Sequence, residues 1–368
     1  LFGAVTRIAY APPGYLLYVN QGALVAHPFD AKSFKVTGDP ITVAENIAEV
    51  GGNHGFDFSV SDNGVLAYQT GSPKSQLVWF DRAGKKLETV GEPDSYAAIA
   101  LSPDGRRAVA GLLDADGRQS DVWMIDLLRG SKSRLTFDPQ SDGDPLWSAD
   151  GKRILFTSNR AGDGHIHLYE TSANTAGDAQ LLLTSDADDF PSSWSPDGQN
   201  ILFERLKYDA RASVWILPLS DLQAKPLLQS TAIDQGAATF SPNGRFIAYT
   251  SNESGRLEVY VQTFPLSGEK WLISSGGGFL PLWRGDGKEL FYLTEDGKVM
   301  SVETETGAAF ESSVAKQLFQ VDIKRAPGYP YAVASDGTRF LINTPAEAST
   351  TVPMTVVLNW TATLKQKQ

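Results

Sequence analysis

WSPDGQNILF, Trp194 to Phe203, decides the fold, because close variants of it return along the whole chain. LSPDGRRAVA begins at Leu101, WSADGKRILF at Trp147, FSPNGRFIAY at Phe240 and WRGDGKELFY at Trp283. VSDNGVLAY from Val60 and VASDGTRFLI from Val333 are weaker copies, and YAPPGYLLYV from Tyr10 keeps the rhythm with Pro-Pro in the turn. Each copy reads as strand, tight turn, strand. In Ser195-Pro196-Asp197-Gly198, proline presets φ for a type I turn, and glycine supplies the positive φ that returns the chain. Short runs of β-branched, aromatic and aliphatic residues flank every turn, as strands require.

The turn glycines are Gly14, Gly64, Gly105, Gly151, Gly198, Gly244, Gly287 and Gly337, spaced by 50, 41, 46, 47, 46, 43 and 50 residues. A period of this length with four strand-like runs is the mark of a β-propeller blade. Four residues before each glycine stands a bulky apolar residue, including Trp147, Trp194, Phe240 and Trp283, at the position where blades pack on one another. Third strands follow as DVWMID, HIHLYE, SVWILP, EVYVQT and KVMSVE, and short outer strands as SRLTF or QLLLT. The expected fold is therefore an all-β propeller of four-stranded antiparallel blades. Eight turns predict eight blades, with seven as the alternative, in a single domain over residues 1–368.

Net charge is −11. That disfavours nucleic acid and anionic membrane surfaces as partners, since both need lysine and arginine to meet phosphate. The absence of cysteine excludes disulfides, thiol chemistry and cysteine zinc sites. No apolar run reaches membrane-spanning length. The chain opens mid-strand without methionine, which leads us to expect a piece of something longer.

The repeat phrase resembles the WD-like repeat of TolB-type propellers. A closer resemblance is to the C-terminal region of large bacterial eukaryotic-like serine/threonine protein kinases, of the kind found in Acidobacteria-like soil bacteria. It is carried by Tyr10–Val19, Pro28–Asp30, Phe58–Tyr68, Trp79–Lys85, Gly276–Leu293 and Arg339–Thr361. The resemblance implies a non-catalytic sensor or scaffold domain that binds a protein or small molecule. It also implies an extracytoplasmic location, and a kinase and membrane segment upstream in the parent chain. The sequence itself contains no Gly-rich phosphate loop and no HRD or DFG motif, so kinase activity does not transfer to it.

Loops leading into the inner strands crowd the mouth of a propeller channel. There the sequence offers Tyr96, Asp142, Asp188, Asp234 and Gln235 as ligand-binding candidates, and Asp57, Asp144 and Asp189 as candidates for a divalent cation such as calcium. Under the alternative reading, a calcium-dependent hydrolase of lactones or phosphotriesters, His54 is the base candidate. The competing explanation is a solvated acidic rim. The HIH pair overlays His165 on Asp121 and Ser213, and His167 on Trp123 and Trp215, which makes ordinary packing the expectation.

Overall fold

The computed structural model describes residues 8–20, 22–45, 47, 58–70, 74–114, 119–175, 177, 179–208, 210–307, 309–324, 328–346 and 354–364. Each turn phrase folds as its residues demand. The Gly198 amide donates to Ser195 O at 2.8 Å, and Ser195 N closes the hairpin onto Asn200 O at 2.8 Å. Gly105, Gly151, Gly198, Gly244, Gly287 and Gly337 all hold φ between 67° and 71°. The turn aspartates are consumed locally. Asp197 accepts from the Ser195 hydroxyl and from Gln199 N, and these bonds hold its pKa below the usual carboxylate value. Replacing Gly198 with alanine is expected to destabilise the fold by about 1 kcal/mol, because alanine resists this φ although space for a Cβ exists. Urea unfolding of the variant checks this, and an unchanged midpoint would contradict it.

Five consecutive sheets are built from strands in simple meander order. Blade 1 comprises Tyr96–Leu101, Arg107–Leu113, Ser120–Asp126 and Lys132–Arg134. Blade 2 comprises Asp142–Trp147, Arg153–Ser158, His167–Ser172 and Gln180–Leu183. Blade 3 comprises Asp188–Trp194, Asn200–Leu206, Ser213–Pro218 and Lys225–Leu228. Blade 4 comprises Gln235–Phe240, Phe246–Ser251, Glu258–Thr263 and Lys270–Leu272. Blade 5 runs from Phe279–Trp283 through Glu289–Leu293 and Lys298–Thr306, which pairs with both Phe310–Ser312 and Lys316–Gln320. Blade 6 is composite: Tyr331–Val333 and Arg339–Pro345 supply its inner half, and Ser75–Asp81 and Lys86–Asp94 its outer half. The two halves join in antiparallel register from Arg339 opposite Asp81 to Pro345 opposite Ser75, so the ring is closed by strands from distant parts of the chain.

Trp147, Trp194, Phe240 and Trp283 end the inner strands of their blades, opposite Ile154, Ile201, Ile247 and Leu290, at equivalent positions as expected. Arginines just after the turn reach across the blade boundary. Arg107 of blade 1 lies 4.9 Å from the Trp147 ring, and Arg153 of blade 2 lies 4.7 Å from that of Trp194. Six apolar cores follow, each filling one gap between consecutive sheets. Leu77, Trp79, Ile99 and Ala108 close the gap between blades 6 and 1, and Phe291, Leu293, Phe340 and Ile342 that between blades 5 and 6. The other four gaps are filled alike.

This ring of six corrects the expectation of eight blades, or seven. Eight turn phrases do give eight sheets among the described residues, but two stand apart from the six inter-blade cores. One holds Ala9–Ala11, Tyr15–Asn20, Ala23–Asp30, Lys35–Val36 and Ile41–Ala44, and the other Phe58–Val60, Val65–Gln69 and Met354–Leu358. They share their own core of Leu17, Leu24, Phe58, Leu66, Trp360 and Leu364, the last two from the helix Trp360–Leu364. The reason is pairing. A turn phrase guarantees two adjacent strands but not the third, and the strand after Val65–Gln69 in sequence goes to blade 6 instead.

Candidate functional site

The inner strands of blades 2, 4 and 5 carry a bulge at the same place: the register shifts between Gly143 and Leu146, Gly236 and Thr239, and Phe279 and Leu282. Within each bulge one residue takes a left-handed conformation, Asp144 (φ 44°), Ala237 (φ 49°) and Leu280 (φ 53°). A bulge re-aims side chains, and all three residues line a cavity of about 840 Å³ along the ring axis, to which every blade contributes. Aspartate tolerates a left-handed backbone better than most residues, so it suits this position.

The cavity wall is mainly apolar, with Ala97, Pro145, Leu146, Pro191, Leu282 and Ala332 among its residues. Its carboxylates among the described residues are Asp144, Glu204 and Asp188, and no described lysine, arginine or histidine belongs to the lining. Asp144 has one long contact, from the Thr157 hydroxyl at 3.4 Å. Glu204 accepts from Ala237 N at 3.1 Å. Tyr329 reaches over from the segment before blade 6 and donates to Ala237 O at 3.1 Å. Both carboxyl groups face the cavity yet lie deep in the ring, where charge is poorly solvated. Burial pushes Asp144 up to about 6. Burial, reinforced by the charges of Asp144 and Asp234, pushes Glu204 up to about 7.

Glycine keeps the space around these acids. A Cβ at Gly236 would overlap the Glu204 carboxylate, and one at Gly328 would overlap Asp144 Oδ1 and Ala98 Cβ. Gly236 has no positive φ, so only space explains the absence of a side chain there.

The other sequence candidates are placed differently. His54 and Asp57 lie outside the described residues. Asp142 is buried and gives both oxygens to Arg160 Nη2 at 2.8 Å. Asp189 is fully buried, bound by Arg205 Nε and Nη2 at 2.7 and 2.8 Å and by the Ser185 hydroxyl at 2.9 Å. It does not line the cavity with Asp144; its charge is spent inside blade 3. Asp234 holds Ala212 N, Asn252 and Arg211. Asp188 lines the cavity and accepts from Ile166 N at 2.9 Å. Tyr96 is buried and donates to Glu92 O at 3.1 Å, and Gln235 is buried with its Oε1 unpartnered. Among the described residues no three His, Cys, Asp or Glu side chains gather as a metal site would require. His167 bonds Asp163 at 2.8 Å instead of sharing a ligand with His165.

Glu204 escaped the sequence reading, yet a signal was there. Aligned on the second strands, its position holds Gly111, Thr157, Thr250, Leu293 and Asn343 in the other blades. A lone carboxylate among small and neutral residues marks the departure.

Residues 58–205 match the TolB beta propeller domain family (PD40). A protein of Agrobacterium tumefaciens assigned to TolB superposes with a TM-score of 0.60 at 16% identity, covering 75% of this chain and 100% of its own. The ring shares the β-propeller fold of that protein. Three quarters is about the share of the chain from Ser75 to Pro345, the span of the six blades. In sequence, the chain is 26% identical over 209 residues to the uncharacterized peptidase YuxL of Bacillus subtilis, a match covering 46% of this chain but 32% of that protein. It is 22% identical over 232 residues to the uncharacterized protein Atu1656 of Agrobacterium fabrum, covering 62% of this chain and 76% of the relative. The matched part of YuxL is thus about a third of its length.

Proposed function

We propose that this chain is a non-catalytic binding propeller, the sensor or scaffold portion of an extracytoplasmic, receptor-like serine/threonine kinase, and that it takes its ligand in the axial cavity. One observation carries the binding role: a cavity of about 840 Å³, walled by all six blades, that is apolar with a few converging polar groups. That is the usual make-up of a small-molecule site. The kinase association rests on the motif resemblance at Tyr10–Val19, Trp79–Lys85 and Arg339–Thr361. The hydrolase alternative has less support. Calcium takes six to eight oxygen ligands, and of its candidate residues Asp189 is bound to Arg205 while, among the described residues, Asp144 has no neighbouring pair of acids to complete a shell.

A thermal-shift screen of small metabolites against the wild type and Ala97→Trp tests the reading. Ala97 is half-buried on the cavity wall, so tryptophan there would fill the space. Ligands that raise the melting temperature of the wild type are expected to lose their effect in the variant. Hits that act equally on both would place binding elsewhere, and chelator-sensitive turnover of a lactone or phosphotriester would replace the non-catalytic reading.

A further inference from the structure

We propose that the axial cavity is a site for an amphipathic amine, whose ammonium group is held between Asp144 and Glu204 while its hydrocarbon body lies on the apolar wall. The proposal rests on the binding role above and names its ligand class.

Four features of the cavity converge on this chemistry. First, its lining contains carboxylates and, among the described residues, no basic side chain, so the described wall repels an anionic ligand. Second, the two inner acids keep most of their acceptor capacity. Two carboxylate oxygens offer about four lone-pair directions, yet Asp144 uses one at 3.4 Å and Glu204 one at 3.1 Å among the described residues. The contrast with Asp142 and Asp189, each clasped by an arginine in its own blade, shows that the fold neutralises inner-strand acids where it needs to. Among the described residues Asp144 and Glu204 have no such partner.

Third, Ser192 lines the same cavity, is 8% exposed, and its hydroxyl has no hydrogen-bond partner. A buried unpaired hydroxyl costs free energy unless something meets it. On the same cavity wall as the two carboxylates, it offers a further acceptor for a bound ammonium. Fourth, Gly236 and Gly328 hold open the volume next to the acids, where any side chain would collide with a carboxylate oxygen. Around that polar focus the wall is hydrocarbon with aromatic faces from Phe190, Tyr329 and Trp283, surfaces that suit both an alkyl body and a cation.

The test compares three isosteric probes, hexylammonium, 1-hexanol and hexanoate, by ligand-observed NMR on the full chain at pH 8. Hexylammonium is expected to bind at least about tenfold more tightly than hexanol, with hexanoate weakest, and the paired variant Asp144→Asn/Glu204→Gln to erase that order. If all three probes bind alike and Ala97→Trp abolishes all three, the amine class is overturned while the cavity remains a ligand site. If none of the probes binds, both readings fall. An amine preference that survives in the paired variant also overturns the assignment to these two acids. Should the paired variant not fold, the ranking of the three probes on the wild type decides alone.

Discussion

Asp189→Ala is expected to lower stability by about 3–5 kcal/mol. The residue has no exposed surface, and Arg205 is 8% exposed. The guanidinium meets both carboxylate oxygens at 2.7 and 2.8 Å, while its face lies 4.1 Å from the Trp215 ring. Removing the carboxylate strands a cation that cannot reach water without leaving that stack, and it leaves the Ser185 hydroxyl with Ala187 O alone as acceptor. Replacing both partners with apolar side chains of similar volume, Asp189→Leu with Arg205→Met, should cost far less, because no buried charge is left alone. Urea unfolding of the single and double variants, compared as a mutant cycle, measures the difference. A single variant within about 0.5 kcal/mol of the wild type would show that solvent reaches the pair.

The same residues show what the sequence could and could not reveal. Turn chemistry and strand composition are local, so the repeats disclosed every sheet, and Trp147, Trp194, Phe240 and Trp283 stand where the spacing put them. Ring size is not local. It depends on Arg339–Pro345 pairing with Ser75–Asp81, and on Met354–Leu358 completing the sheet of Val65–Gln69. No periodicity announces such long-range pairings. At the site, proximity to an inner strand identified Asp144, Asp142, Asp188 and Asp189 as a group, but their fates separate at single-residue resolution. One position along the bulge aims Asp144 at the axis, while Asp142 and Asp189 point to arginines of their own blades. The third strands show the same sensitivity. His167 stands opposite Ser158 as Ser213 stands opposite Arg205, two residues from the overlay that sequence alone suggested.

Glu204→Gln is expected to stabilise the protein at pH 8 and to leave it nearly unchanged at pH 4. Glu204 titrates near 7 in the folded ring against an ordinary value of 4.5, and Asp144 near 6 against 3.8. An acid with a raised folded-state pKa binds its proton more tightly when folded. Its contribution to stability is therefore full below the unfolded pKa and is lost as pH rises through the folded one. For these two groups the loss runs from about pH 4 to about pH 7, and each shift corresponds to at most about 3 kcal/mol. The groups acting on Glu204 are the Asp144 and Asp234 carboxylates and the Ala237 N–H, with Tyr329 beside it. Glutamine keeps an acceptor for Ala237 N and carries no charge at any pH, so the difference between variant and wild type reports Glu204 together with its coupling to Asp144. The stability difference should be close to zero at pH 4, grow through pH 7 and level off by pH 8, at about 1–3 kcal/mol in favour of the variant. A flat difference from pH 5 to 8 would mean that water solvates the carboxylate as it does at the surface. The same linkage ties the acids to their proposed ligand. An ammonium bound between them favours the ionised forms, so hexylammonium binding below pH 7 should release protons, visible as buffer-dependent heats in titration calorimetry, and its affinity should rise as pH climbs from 5 to 8.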